Sequence, residues 1–271
     1  LAYGMGDAAY NFIWMTFIYY QLFFYTDIFG LSATAVGVLF LATRVWDTIS
    51  DPLIGMLADR TSSPWGQFRP YLLFGAIPLG MGSVLCFTTP DLSSAGKLYY
   101  AYVTYFALGI IFTAINIPYS SLLGVISSNP KERAALSSFR FVGAYSAGFV
   151  VLYFTLDLVE LLGQGNKATG FQLTMSIYAL ITSVLLLTTF HFTRERVKPV
   201  TNKKTPFLRD LLDILTNGPF IVLFAVGVFT LTFVAIRNGI TIHYFKYYIL
   251  KEEIVKYFLA GAIIMNLLGA A

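Results

Sequence analysis

Long apolar stretches broken by short polar connectors dominate this chain. "FIVLFAVGVFTLTFV" (220–234) is almost unbroken, so the ten-residue apolar/polar alternation of a membrane β-barrel is excluded. Spans of about 20 residues, the length that crosses ~30 Å of hydrocarbon, fall at 8–29, 33–58, 71–90, 97–125, 136–161, 171–193, 218–248 and from 253 onward. Several run long, which predicts tilt or extension beyond the bilayer. The connectors carry turn chemistry: "FGLS" (29–32), "TSSPWGQFRP" (61–70), "TPDLSS" (89–94), "SSNPKER" (127–133) and "GQGNKATG" (163–170), with Ser32 and Ser94 as expected N-caps. Inside hydrocarbon only helices of this length satisfy every backbone group, so the pattern predicts an all-α polytopic membrane protein.

Composition agrees. Of the 271 residues 57% are hydrophobic and only 12% charged, with a mean hydropathy of +0.70; soluble domains carry about 25% charge. A single cysteine, Cys86, excludes a disulfide framework and a cysteine-rich metal site. The net charge of +4 matters through its placement. The connectors after spans 2, 4 and 6 hold Arg60 and Arg69, then Lys131 and Arg133, then Arg194, Arg196, Lys198, Lys203, Lys204 and Arg209; the others hold Lys97 and Lys167. By the positive-inside rule the N-terminus is cytoplasmic. The basic stretch 194–217 divides a six-helix unit (1–193) from a second unit that has only begun (218–271). The chain begins at Leu1 and stops in the apolar "NLLGAA", so it is expected to be part of a longer protein. The aromatic runs "YYQLFFY" (19–25) and "LYYAYVTYF" (98–106) read as lipid-facing interfacial belts. His191 and His243 lie near span ends and are assigned no role.

The polar residues inside the spans carry the functional signal. "RVWDTISDPLIG" (44–55) puts Asp47 near the middle of span 2 and Asp51 one turn further, on one helical face beside Ser50. A carboxylate near the centre of a membrane helix costs on the order of 3 kcal/mol, and two together each need a cation or a proton. Arg44 can offset one, leaving a buried Arg–Asp helix clamp as the bland reading. The stronger reading is a site for a small hard cation such as Na⁺, or a proton relay. At similar depth span 4 carries Thr113 and Asn116 in "FTAINIPYSS", above the backbone interruption at Pro118. Thr113 can complete a cation site and Asn116 can bond a polar substrate, or both simply join helices.

Span 1 opens on "YGMGDAAYNFIW", with Asp7, Tyr10 and Asn11 on one stripe; for Asp7 a favourable helix-dipole charge is the alternative. Arg140 in "SSFRFVGAYSAG" either pairs with a cavity carboxylate or substrate hydroxyls, or snorkels to lipid phosphates. Asp59, Arg60 and Arg69 in "GMLADRTSSPWGQFRP" can clasp and release neighbouring helix ends, or simply flank the spans as positive-inside charges.

"GMLADR…R" (55–69) resembles the loop motif between helices 2 and 3 of the major facilitator superfamily. With "YGMGD", "FFYTDIFGLS", "RVWDTISDPLIG", "WGQFRPYLL" and "NIPYSSL", the chain resembles the glycoside–pentoside–hexuronide:cation symporters, the group of the melibiose permease. The resemblance implies a twelve-helix fold of which the first seven to eight are present. It implies Asp47 and Asp51 as cation ligands with Ser50 and Thr113 close by, and a sugar site around Tyr10, Asn11, Asn116, Ser120 and Arg140. In the melibiose permease the places of Asn11 and Asn116 hold aspartates, that of Tyr10 a lysine and that of Ser120 a tryptophan, so the resemblance does not carry a galactoside over. A late-helix lysine expected at the cation site falls beyond residue 271.

These readings converge on a monomeric secondary transporter of a bacterial inner membrane, coupling Na⁺, H⁺ or Li⁺ to a sugar or glycoside by alternating access. No other cofactor and no nucleic-acid partner is expected. An amphipathic lysolipid cargo and a non-transporting sensor are the alternatives. An enzyme is disfavoured, because no metal triad or serine–histidine pair shares one depth.

Overall fold

The computed structural model describes residues 1–197 and 216–270. Its helices are α1 (Ala2–Phe23), α2 (Ala33–Arg60), α3 (Arg69–Cys86), α4 (Ser94–Ile126), α5 (Pro130–Gly163), α6 (Lys167–Phe192), α7 (Gly218–Tyr244) and α8 (Val255–Ala270). Single π-helical turns, Phe24–Ile28 and Phe245–Ile249, extend α1 and α7. There is no strand among the described residues. Four helices, α3 to α6, and α7 with its π-turn are long and apolar enough to cross a membrane. The two other long helices, α1 and α2, carry the polar residues Asp7 and Asn11, and Arg44, Asp47 and Asp51. Of the basic connector 194–217, Lys198, Lys203, Lys204 and Arg209 lie outside the described residues.

Helix α1 is central, packing on α5, α6 and α7; α2 lies on α4, α3 on α4 and α6, and α5 on α8. The α1–α5 crossing depends on two glycines. A Cβ on Gly4 would stand 2.4 Å from the Phe139 carbonyl oxygen, and one on Gly143 would stand 2.3 Å from the Gly4 carbonyl oxygen. With no hydrophobic drive between helices in lipid, such close backbone approach and interhelical hydroxyl bonds hold the bundle. Buried Thr182 and Thr189 of α6 donate to the carbonyls of Ala9 and Ala2 at 3.1 Å each, and Ser183 donates to Ala76 of α3 at 2.9 Å.

Three expectations are corrected. Helix α1 starts at Ala2, six residues before the predicted span, so Asp7 lies beyond the first turn and has no dipole role there. The N-cap of α4 is Ser93, whose hydroxyl accepts from Gly96, and Ser94 is already helical; Ser32 does cap α2. The run 19–25 is no lipid-facing belt. Tyr20, Phe23, Phe24 and Tyr25 are at most 1% exposed; the first three pack on Phe171, Phe24 also on Phe87, and Tyr25 on Phe29 and Tyr105. Hydrophobicity without periodicity cannot tell a helix's lipid face from its packed face.

Candidate functional site

The "WGQF" connector has a structural job. Glu195, the one acid in "TRERVK", accepts from the backbone N–H groups of Gln67 (2.8 Å), Phe68 (2.7 Å) and Arg69 (3.1 Å). Those are orphan donors at the start of α3, and a carboxylate there also meets the positive helix end. Gly66 is required twice: its φ is +112°, and a Cβ would stand 2.5 Å from the Glu195 carboxylate. Arg69 completes the clasp by donating to the Phe190 carbonyl at 2.6 Å and stacking on its ring. This ties the α2–α3 connector to the end of α6. The side chains of Asp59 and Arg60 make no ion pair among the described residues; only the Asp59 carbonyl takes part, accepting from Gln67 at 2.9 Å. We expect Glu195→Ala to cost about 2–3 kcal/mol, read as a lower thermal unfolding midpoint, whereas Arg196→Ala should lie within about a degree of wild type.

A cavity of about 720 Å³ opens where α1, α2, α4 and α7 meet. Asp47 is the one carboxylate in its lining, with Thr43 and Arg44 on its own helix, Gly109 and Thr113 on α4, and Thr232 on α7. The carboxylate lies against α4 at Gly109, where a Cβ would sit at ordinary contact distance, 3.7 Å, from Asp47 Oδ1. Arg44 Nη1 donates to Asp47 Oδ2 at 3.0 Å, and its guanidinium lies 5.8 Å from the Trp14 ring centre. Arg44 is 57% exposed and Asp47 22%, so the pair faces open space and a competing ion can reach it. The rest of the wall is aromatic: Trp14 stacks on Phe112 (5.3 Å, 19°), with Phe17 and Tyr105 beside them.

The structure distributes the other expected residues unevenly. Asp51 is exposed, one turn beyond Asp47, with no hydrogen bond or ion pair among the described residues. Ser50 is buried, and its hydroxyl donates to its own helix at the Asp47 carbonyl (3.4 Å), away from the carboxylate. On α1 the lining begins at Ile13 and on α4 it stops at Thr113, so Tyr10, Asn11, Asn116 and Ser120 lie nearer the end at which α1 starts. Tyr10 reaches the wall through Phe112, their ring centres 3.9 Å apart. Buried Asn11 donates to the Asp7 carbonyl at 2.8 Å, a bond within its own helix. Arg140 does not snorkel. Its Nε and Nη2 meet Asp7 Oδ1 at 3.3 and 3.1 Å, and it lies over the rings of Tyr3 and Tyr119. Those tyrosines trade hydroxyl-to-carbonyl bonds of 3.1 and 2.6 Å, joining α1 to α4.

Sequence reasoning missed Trp14, Phe112, Tyr105, Gly109 and Glu195. Only Glu195, an isolated acid in a basic run, left a visible signal. Among the described residues no group of three or more His, Cys, Asp or Glu could hold a metal. A carboxylate with hydroxyl neighbours is an oxygen donor set, suited to hard monovalent cations and not to transition metals.

The helical membrane bundle agrees with the fold that the resemblance implies, and its largely apolar cavity carries a single carboxylate, Asp47. The family described as MFS/sugar transport protein matches residues 2–271. The chain belongs to that family. The family is one of membrane transporters, the chain is an integral membrane protein, and its likeness to glycoside–pentoside–hexuronide:cation symporters extends over its whole length. It is 42% identical to the inner membrane symporter YicJ of Escherichia coli (strain K12), covering 100% of this chain and 59% of that protein. It is 38% identical to the putative glycoside/cation symporter YagG of the same organism, again over 100% of the chain and 59% of the relative. To the isoprimeverose transporter of Lactiplantibacillus pentosus it is 37% identical, over 91% of the chain and 52% of the relative. The chain thus spans less than two thirds of the length of these relatives and forms the N-terminal part of the MFS fold.

Proposed function

We propose that this chain forms the N-terminal part of a secondary active symporter. It would move a sugar or glycoside with Na⁺, Li⁺ or H⁺ by alternating access, with its N-terminus in the bacterial cytoplasm. The observation that carries the reading is the Asp47 carboxylate in the wall of a cavity bounded by α7 on one side and by α1, α2 and α4 on the other. The names of the relatives, a glycoside/cation symporter and an isoprimeverose transporter, support the cargo class.

The chemistry follows from the pairing. With no coupling ion bound, Arg44 neutralises Asp47. A cation arriving at Asp47, with Thr113 and Asp51 as further oxygen donors, displaces the guanidinium. Arg44 then turns its donors to the cavity, where sugar hydroxyls accept them, while the Trp14–Phe112 wall takes the C–H face of the ring. Each ligand thereby raises the other's affinity, a reciprocal coupling. Arg140, held by Asp7, shapes the α1–α4–α5 junction beside the sugar site.

The test is uptake by the full-length protein in sealed vesicles, with isoprimeverose as the first of a panel of labelled glycosides. Accumulation above equilibrium under an imposed Na⁺ or H⁺ gradient is expected. Binding of a glycoside without accumulation under any gradient would make it a sensor and sink the symport reading; stabilisation by lysolipids alone would replace the cargo.

A further inference from the structure

The cavity ends, on the side away from the N-terminus of α1, at Leu22 and at Gly239 with Ile240, where a Cβ on Gly239 would touch Leu22 at 3.8 Å. One turn beyond them sits a polar cluster that the proposed transport site does not use. Asp27 Oδ1 accepts from both Lys246 Nζ and the Tyr247 hydroxyl. Its other oxygen accepts from Thr26 Oγ1 at 2.7 Å and lies 3.3 Å from His243 Nε2. Asp27 is only 8% exposed, and the Lys246 ammonium also rides over the Phe23 ring. Thr26 and Asp27 on one side, and Lys246 and Tyr247 on the other, are carried on the single π-helical turns, "FYTDI" after α1 and "FKYYI" after α7, with His243 on the last turn of α7. Such turns insert an extra residue that re-aims side chains, and they concentrate at functional positions. A second ion pair, Asp157 with Lys256 at 2.8 Å, joins α5 to α8.

We propose that Asp27 with Lys246, Tyr247 and His243 is a latch that closes the cavity toward the face remote from the N-terminus, the outside by the loop charges. Opening to that side requires the cluster to break. A carboxylate and an ammonium shielded from solvent hold strongly while closed. Once α1 and α7 part, each is hydrated, so the latch is reversible and has two discrete states.

The test uses the full-length protein with its native cysteines replaced and Ala235→Cys placed in the cavity wall, labelled from outside with a membrane-impermeant maleimide. Asp27→Asn and Lys246→Ala are each expected to speed labelling about tenfold. The exchange Asp27→Lys with Lys246→Asp should return it toward the slow rate. Labelling unchanged in the inserted single variants would overturn the latch. If those variants fail to insert, a short bis-methanethiosulfonate cross-link between Thr26→Cys and His243→Cys decides, with the protein carrying Ala235→Cys alone treated in parallel to subtract any reporter thiol consumed by the reagent. Protection of the cavity-wall thiol supports the proposal, and labelling as fast as in the uncross-linked protein refutes it. The readout needs no substrate, so it stands apart from the sugar reading.

Discussion

Asp47→Asn in the full-length protein is expected to abolish gradient-driven accumulation of sugar while leaving insertion intact. Asp47 is the one carboxylate lining the cavity, and it is partly screened by Arg44 alone. A unit charge at 4 Å is worth about 4 kcal/mol at an effective dielectric of ~20, so losing it should weaken cation binding by about a thousandfold. The amide keeps the side chain's shape against Gly109, and helix packing should survive. Arg44 would lose its partner and stay turned to the cavity, so downhill sugar flux should persist without its cation dependence. Uptake against a gradient at wild-type level in Asp47→Asn would refute the assignment. Asp51→Asn should have the same direction of effect and a smaller size, because Asp51 lies a turn away and outside the lining.

Gly143→Val should be the most damaging change away from the cavity. Its side chain would begin 2.3 Å from the Gly4 carbonyl oxygen, and backbone cannot yield as a flexible side chain can. Helices α1 and α5 would have to separate, at a cost of about 1–3 kcal/mol or more. The separation also pulls Arg140, three residues away on α5, from Asp7. The expected result is a large drop in the thermal midpoint in detergent, with lower surface expression. Gly4→Ala should act in the same direction, and the double variant should fall short of the sum because both residues relieve one crossing. A midpoint unchanged in Gly143→Val would show that the helices do not meet there.

Legibility differed by type of feature. Spans of unbroken apolarity made the helices visible to within a few residues, apart from the starts of α1 and α5, each six residues ahead of its predicted span, where Gly4, Gly6 and Asp7, and Lys131, Glu132 and Arg133, diluted the pattern although the helices run through them. The Arg44–Asp47 pair was readable because i and i+3 neighbours meet on any helix, whatever packs against it. Partners distant in sequence were not readable. The bond from Lys246 to Asp27 joins residues 219 apart, and Glu195 reaches the Gln67 backbone across 128 positions. The aromatic run 19–25 failed for a related reason, since lipid and protein interior select the same apolar side chains.

By itself, then, the sequence determined that this is a helical membrane protein whose second helix carries charge in the hydrocarbon, because backbone satisfaction and the cost of burying a carboxylate act locally. The tertiary structure alone decided that Asp47 faces the cavity while Ser50 turns into its own helix, that Arg140 is held by Asp7, and that Asp27 closes against α7. Those outcomes depend on how helices far apart in the chain cross. Their crossings are set by backbone contacts at a few small residues, which no hydrophobic pattern encodes.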